Sequence, residues 1–415
     1  MKIELVLIVF TLAITTSYPK SFICNAFSLT SSVANPKQDY TLSSGANPQS
    51  SVRFESPLLD AGYPPAVTEY RAKTLGKKPL LLYLPGFDGT LLAPFLQFPE
   101  LSTEFDVKGM TVDMSDRSSV EDLKEIVLDF IEKETKPDMD RPVYIMGESF
   151  GGILTLEVAL AIRERNASIG KECIDAKTAI NLQGISLINP ATSYNDSDLA
   201  KDGPPLTRVS PMLYPFELMK LLPLFTDDYG FSQLLLILQS KGLPSVIDNE
   251  QREAYMGRTA FSLPTKMKFM PQETLKWRLE EWLAKGCAAI NNKEQFLLDL
   301  DVPVLIVAGE MDNTLPSLEE AKRLSTLLKN TQTNVHIVKG AGHAHTAGSR
   351  VDLTALMRMT FRDKLRSNGR TEMKPSATQA SREFYGMEER YDKANIGLIP
   401  TKYWSRENFL SVREV

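Results

Sequence analysis

Apolar positions along the chain fall into two rhythms. Short unbroken runs mark buried strands, and positions spaced three and four apart mark helix faces. Leu80-Leu81-Leu82-Tyr83-Leu84 is the first unbroken run; it ends in Pro85-Gly86-Phe87-Asp88-Gly89 and reads as a parallel strand entering a glycine-rich turn. Further strands are predicted over 105–114, 142–146, 184–188, 302–308 and 335–338. Between them, Val120, Leu123, Ile126, Val127 and Phe130 recur at helical spacing behind Ser118 and Ser119, which can cap the first turn. A helix is predicted from Ile153 to Arg163, and Pro316 opens another that runs to Leu328. Strands alternating with helices predict an α/β fold, a mostly parallel sheet with helices on both faces. From Ser193 to Asn291 the alternation stops. The segment is rich in Leu, Met, Phe and Pro, and Leu275, Leu279, Trp282 and Leu283 share one helical face. This stretch is read as a helical cap inserted into the sheet at 193–291.

The two ends of the chain have a different character. After Lys2 the run Leu5 to Ile14 is about ten residues long, the size of a signal-peptide core and short for a bilayer span. The stretch that follows is hydroxylated and poor in acids, beginning near Ala26-Phe27. A small residue before phenylalanine and then such a segment resembles the bipartite plastid leaders of diatoms and related algae. A secretory leader with a linker is the alternative. The expected organisation is therefore a signal peptide at 1–26, a transit-like linker at 27–55, the main domain at 56–365 and a polar tail at 366–415.

Composition narrows the function classes. A net charge of -5 with no dense basic stretch argues against nucleic acid as a partner. Three cysteines (Cys24, Cys173, Cys287) without close pairing do not form a disulfide framework. No zinc, calcium-loop, Walker or dinucleotide pattern occurs, so neither a metal nor a cofactor is expected.

The chemistry-bearing pattern is Gly147-x-Ser149-x-Gly151, placed between a buried strand and a helix. A strand-to-helix turn this tight excludes large flanking side chains and exposes the serine hydroxyl above the sheet. Such a serine needs a base, and the base needs an orienting carboxylate. Asp312 follows a predicted strand in Gly309-Glu310-Met311-Asp312-Asn313, with Glu310 as its neighbour and rival. Only three histidines exist: His336 lies within a strand pattern and fits packing, while His343 and His345 follow the last strand. His343, beside Gly342, is the favoured base. The oxyanion is expected to meet the N–H groups of Phe150 and Phe87, the latter on the turn that Gly86 begins. Asp88 fits a bracing residue or a plain turn residue. These residues predict the α/β-hydrolase fold and acyl chemistry at Ser149.

Four segments carry a family resemblance: Leu84-Pro85-Gly86-Phe87-Asp88-Gly89-Thr90, Gly147-Glu148-Ser149-Phe150-Gly151-Gly152, Asn189-Pro190-Ala191-Thr192-Ser193, and Asp312 to Ser317 with Glu319-Glu320-Ala321-Lys322. Together they resemble the plant phytyl ester synthases of the plastid esterase/lipase/thioesterase family. The resemblance implies acyl transfer from acyl-lipid, acyl-CoA or acyl-carrier donors to phytol or diacylglycerol. It also implies a place at thylakoids or plastoglobules, with peripheral contact to membrane or lipid droplets. The second, acyltransferase-like domain of that family carries His-x-x-x-x-Asp, and no histidine here has Asp five residues on. The resemblance therefore reaches the hydrolase half alone. Transfer to water, as in a lipase or thioesterase, and a non-catalytic hydrolase-fold binding protein are the alternatives.

Overall fold

The computed structural model describes residues 51–57, 78–95, 97–138, 140–169, 179–218, 270–328, 331–348 and 351–361. The unbroken apolar runs become the central strands because both their faces are covered. The seven strands among the described residues are β1 (Val52–Glu55), β2 (Leu80–Leu84), β3 (Asp106–Val112), β4 (Val143–Glu148), β5 (Leu182–Ile188), β6 (Val304–Gly309) and β7 (Thr333–Val338). They form one sheet in the order β1-β3-β2-β4-β5-β6-β7. Every pairing is parallel except β1 with β3. Alternation sorts their side chains between two cores. Leu80, Leu82, Leu84, Val143 and Ile145 enter one, and Leu81, Tyr83, Tyr144 and Met146 enter the other.

The helices follow the strands. They are α1 (Phe98–Glu104), α2 (Val120–Thr135), α3 (Phe150–Ile169), α4 (Asp198–Leu206), α5 (Tyr214–Leu218), α6 (Gln272–Trp277), α7 (Lys285–Asn291), α8 (Glu294–Leu297), α9 (Ser317–Leu327) and α10 (Leu353–Thr360). A π-helical segment, Arg278–Ala284, joins α6 to α7. Helix α2 starts on a capping box in which Ser119 and Asp122 satisfy each other's backbone N–H. Its predicted face points inward, with Leu123 and Val127 fully buried.

Two expectations change. Residues 52–55 fall in the expected transit-like linker, yet they form the antiparallel edge strand β1, whose Phe54 stacks on Phe130 with ring centroids 3.8 Å apart. A four-residue strand held by a distant partner leaves too little local pattern to read. Helix α3 begins at Phe150 rather than Ile153, so Gly151 and Gly152 are helical. The remaining leader, most of the cap between 219 and 269 and the tail beyond 361 lie outside the described residues. No helix among the described residues is long and apolar enough to cross a membrane.

The strand order fixes where a ligand can enter. From β2 the chain moves to β3 on one side, then returns to β4 on the other. That reversal opens a crevice beyond the carboxyl ends of β2 and β4.

Candidate active site

Ser149 follows β4 directly, at this crevice. Its φ is +53°, a left-handed conformation that a serine adopts only when its surroundings impose it. The surroundings do so through three backbone bonds. The Ser149 N–H donates to the Ile188 carbonyl at 2.8 Å, and its own carbonyl accepts from Gly152 and Ala191, both at 2.9 Å. The flanking glycines are a steric necessity. A Cβ at Gly147 would lie 2.0 Å from the Gly151 carbonyl oxygen, and one at Gly151 would lie 2.1 Å from the Leu84 carbonyl oxygen. Gly86 is less constrained, since a Cβ there would meet Asp88 Oδ1 at 3.3 Å and the Ser149 Cβ at 3.6 Å. The latter distance places the turn after β2 against the serine.

The acid and the ring arrive on the loops after β6 and β7. His343 Nε2 lies 3.0 Å from Ser149 Oγ, and His343 Nδ1 lies 2.7 Å from Asp312 Oδ2. All three side chains are shielded from solvent. Asp312 is held in turn. Its Oδ1 accepts from the N–H groups of Thr314 (2.8 Å) and Leu315 (3.1 Å), and its Oδ2 accepts from the Ser317 hydroxyl. Burial works against a charged Asp312, but His343 and these donors outweigh it and keep its pKa below the ordinary carboxylate value. Burial likewise works against imidazolium at His343; the Asp312 carboxylate, aided by Glu148 and Asp88, outweighs that and raises the ring's pKa.

The rival residues go elsewhere. Glu310 is exposed, and its carboxylate accepts from the Gly340 N–H at 2.8 Å. His336 is buried in β7, where burial alone lowers its pKa to about 4. His345 shares the 3-10 turn His343–His345, and its side chain is outside the described set. Among the described residues no group of three or more His, Cys, Asp or Glu is placed to hold a metal ion. Cys287 is a buried free thiol bonded to the Thr192 carbonyl.

Phe150 follows Ser149 as the first residue of α3, and Phe87 follows Gly86 on the turn that packs against the serine. A helix N-terminus carries partial positive charge, so the Phe150 position suits a developing oxyanion. Asp88 braces its own turn by accepting from the Thr90 hydroxyl.

Two residues lie in motifs whose spacing does not reveal their roles. Asn189 follows β5 at φ +41°, and its side chain joins three loops. Its Nδ2 donates to the His343 carbonyl (3.0 Å) and to Thr346 Oγ1 (2.8 Å), and its Oδ1 accepts from the Gly309 N–H (2.8 Å). An asparagine is the ordinary non-glycine choice for a positive φ, which is the signal the sequence held. Glu148 is buried beside the serine and takes a hydrogen bond from the Tyr83 hydroxyl. Loss of solvation pushes its pKa up to about 7.

A serine on a strand-to-helix elbow, bonded to a histidine that is bonded to a buried aspartate, at the switch point of a mostly parallel sheet, defines the class. This is an α/β-hydrolase-fold protein with a serine esterase or acyltransferase type of site. The serine carboxypeptidase family profile matches residues 102–202, the stretch that contains the elbow. The chain is a homologue of the phytyl ester synthases. It is 32% identical to phytyl ester synthase 1, chloroplastic, of Arabidopsis thaliana, over 68% of this chain and 37% of that protein. It is 30% identical to phytyl ester synthase 2, chloroplastic, of the same plant, over 64% of this chain and 39% of that protein. The chain thus spans under two fifths of the length of these relatives. Solved structures similar to it include a thermophilic esterase from Thermogutta terrifontis, 15% identical with a TM-score of 0.44 over 77% of this chain and 94% of that one. Another is a Bacillus subtilis carboxylesterase, 17% identical with a TM-score of 0.41 over 68% and 84% of the two chains.

Proposed function

We propose that the protein transfers fatty acyl groups from lipid esters through an acyl-serine at Ser149, with His343 as base and Asp312 as orienting acid. The observation that carries this reading is the 3.0 Å approach of His343 Nε2 to Ser149 Oγ, with Asp312 on the opposite ring nitrogen. Ser149 Oγ attacks the acyl carbonyl as its proton passes to His343 Nε2. The Phe87 and Phe150 N–H groups hold the oxyanion, and Asp312 stabilises the imidazolium. Collapse expels the donor's alcohol or thiol, which takes the proton from His343. An acceptor alcohol then gives its proton to His343 and attacks the acyl-serine; collapse releases the new ester as Ser149 Oγ takes that proton back. With water as acceptor the product is the free fatty acid.

Phytol or diacylglycerol as acceptor, and acyl-lipid, acyl-CoA or acyl-carrier protein as donor, are supported by the homology to phytyl ester synthases. The same homology to chloroplast proteins, with the leader pattern, supports a plastid location, at thylakoids or plastoglobules. Met212, Leu213 and Phe216 expose their side chains on the cap, which supports work at a lipid surface. The catalytic assignment of Ser149, Asp312 and His343 and a catalytic domain that begins with β1 at Val52 and runs to about 365 form part of this proposal.

The test is incubation of the protein with galactolipid, with and without phytol, followed by mass spectrometry of the lipids. Phytyl esters that depend on both phytol and Ser149 support transfer. Free fatty acid alone assigns the protein to hydrolysis, and an unchanged lipid profile removes the acyl-lipid reading.

A further inference from the structure

Arg278 is a charged residue fully buried in the π-helical segment that joins α6 to α7. A guanidinium removed from water needs acceptors, and three backbone carbonyls supply them. Nη1 donates to the Phe87 carbonyl at 2.7 Å, and Nη2 donates to the carbonyls of Asp113 (2.9 Å) and Val112 (3.3 Å). The Trp282 ring lies 4.3 Å from the guanidinium carbon and takes up its remaining face. Burial lowers the Arg278 pKa to about 10, which still leaves the group charged at neutral pH.

These contacts reach the turn after β2 directly, through the Phe87 carbonyl, and the start of α3 through Trp282. The turn after β2 is closed by the Gly89 N–H donating to the Gly86 carbonyl at 3.0 Å. No peptide bond among the described residues is cis. In a trans peptide the carbonyl and the N–H point in opposite directions. The Gly86 carbonyl faces into the turn, so the Phe87 N–H faces out of it. The Gly89 carbonyl is tied to the Val112 N–H at 2.9 Å, which fixes the far end of the turn to β3. The next carbonyl after the Phe87 N–H is the one Arg278 grips. On the other side, the Trp282 ring stacks on the Phe150 ring at 4.6 Å and 13°, and its Nε1 is anchored on the Ser118 carbonyl at 2.8 Å. One segment of the cap therefore holds both residues whose N–H groups are assigned to the oxyanion. π-helical segments are rare and recur at functional sites.

We propose that Arg278 is a positioning residue for the oxyanion hole: through the Phe87 carbonyl it sets the backbone of residue 87 for binding the charged oxygen, with Trp282 doing the same for Phe150. The cap is then a working part of the catalytic centre, beyond any role as a cover. A lysine cannot replace this arginine, because one compact ammonium cannot span three carbonyls in a fixed fork. The inference rests on Ser149 being the nucleophile.

The test uses the full chain and a water-soluble short-chain p-nitrophenyl ester. Wild type and Ser149→Ala are compared first with a fluorophosphonate probe. Labelling of wild type alone secures the nucleophile, and absence of labelling in both is a failure of the proposed function, separate from this inference. Arg278→Lys, Arg278→Met and Trp282→Phe follow, each checked for folding by thermal melting. A displaced oxyanion donor lowers kcat by about tenfold to a hundredfold with KM held within about twofold. The phosphonylation rate falls by the same factor, because its oxygen uses the same hole. The pH midpoint of kcat/KM stays where His343 sets it. Wild-type kcat in any folded variant of Arg278 overturns the proposal. So does a loss of activity carried by KM or by a moved pH midpoint. Should both Arg278 variants fail to fold, Trp282→Phe decides: unchanged kcat refutes the coupling of cap to hole, and the same kcat-selective loss upholds it.

Discussion

Replacing Asp312 by asparagine exchanges one carboxylate oxygen for an NH₂ group, and the structure dictates how the new amide will sit. Asp312 Oδ1 accepts from the Thr314 and Leu315 N–H groups. An amide nitrogen cannot accept those bonds, so the asparagine oxygen stays there and its NH₂ group takes the Oδ2 position. That position lies 2.7 Å from His343 Nδ1. A donor there forces Nδ1 to be the acceptor, and the ring's proton moves to Nε2. The nitrogen that faces Ser149 Oγ at 3.0 Å then has no lone pair for the serine proton. The same tautomer error in chymotrypsin-type triads lowers kcat by about ten-thousandfold, or about 5 kcal/mol of transition-state stabilisation. The local fold is preserved, because the two backbone bonds from Thr314 and Leu315 survive. The assay is kcat/KM for a soluble ester alongside the phosphonylation rate, with melting as a check on folding. Glu310→Gln is the control and keeps near-wild-type activity, since the Glu310 carboxylate bonds only the Gly340 N–H among its described contacts. A folded Asp312→Asn protein within about tenfold of wild type would refute the reasoning.

Three more outcomes follow from the same geometry. Gly147→Ala yields no soluble folded protein or a grossly destabilised one, measured by expression and urea unfolding, because its Cβ falls 2.0 Å from the Gly151 carbonyl oxygen. Asn189→Ala removes three buried hydrogen bonds and leaves a positive φ on alanine; at about 1 kcal/mol each plus strain, urea unfolding registers a loss of about 3–5 kcal/mol. His336 has a folded pKa of about 4, below its unfolded value. As pH falls below about 6.5 the unfolded chain takes up a proton that the folded one refuses, so this residue lowers stability progressively until about pH 4, by about 3 kcal/mol in all. Glu148, raised to about 7, acts in the opposite sense over part of that range. The measurement is therefore a difference: His336→Gln shows a shallower stability loss than wild type between pH 6.5 and 4, and parallel slopes would contradict the cited burial.

Much of this architecture was legible along the chain, and the exceptions have physical causes. Leu80–Leu84, Val143–Met146 and Val304–Ala308 are readable because a parallel strand covered on both faces needs no polar positions. Strand β1 is not, since its four residues take their order from β3, more than fifty residues away. The start of α3 is blurred because glycines signal a turn, while here close packing of Gly151 against Leu84 and of Gly152 against Pro190 requires them inside a helix. Within the site, glycine spacing and strand context point to Ser149, Asp312 and His343. The bracing residues give fainter signals. Arg278 sits at helical spacing between Leu275 and Trp282, on the buried face, and a charge in an apolar stripe was the available clue. Its three acceptors lie more than 160 residues away, and no local pattern contains them.

The central claim is that Ser149 Oγ is made nucleophilic by His343. It is tested most directly by treating the full chain with a fluorophosphonate and locating the adduct by peptide mass spectrometry. The account predicts one phosphonyl group on the peptide containing Ser149, absent in Ser149→Ala and strongly slowed in His343→Ala, with both variants folded. No adduct on wild type, or an adduct of equal rate in folded Ser149→Ala, contradicts it.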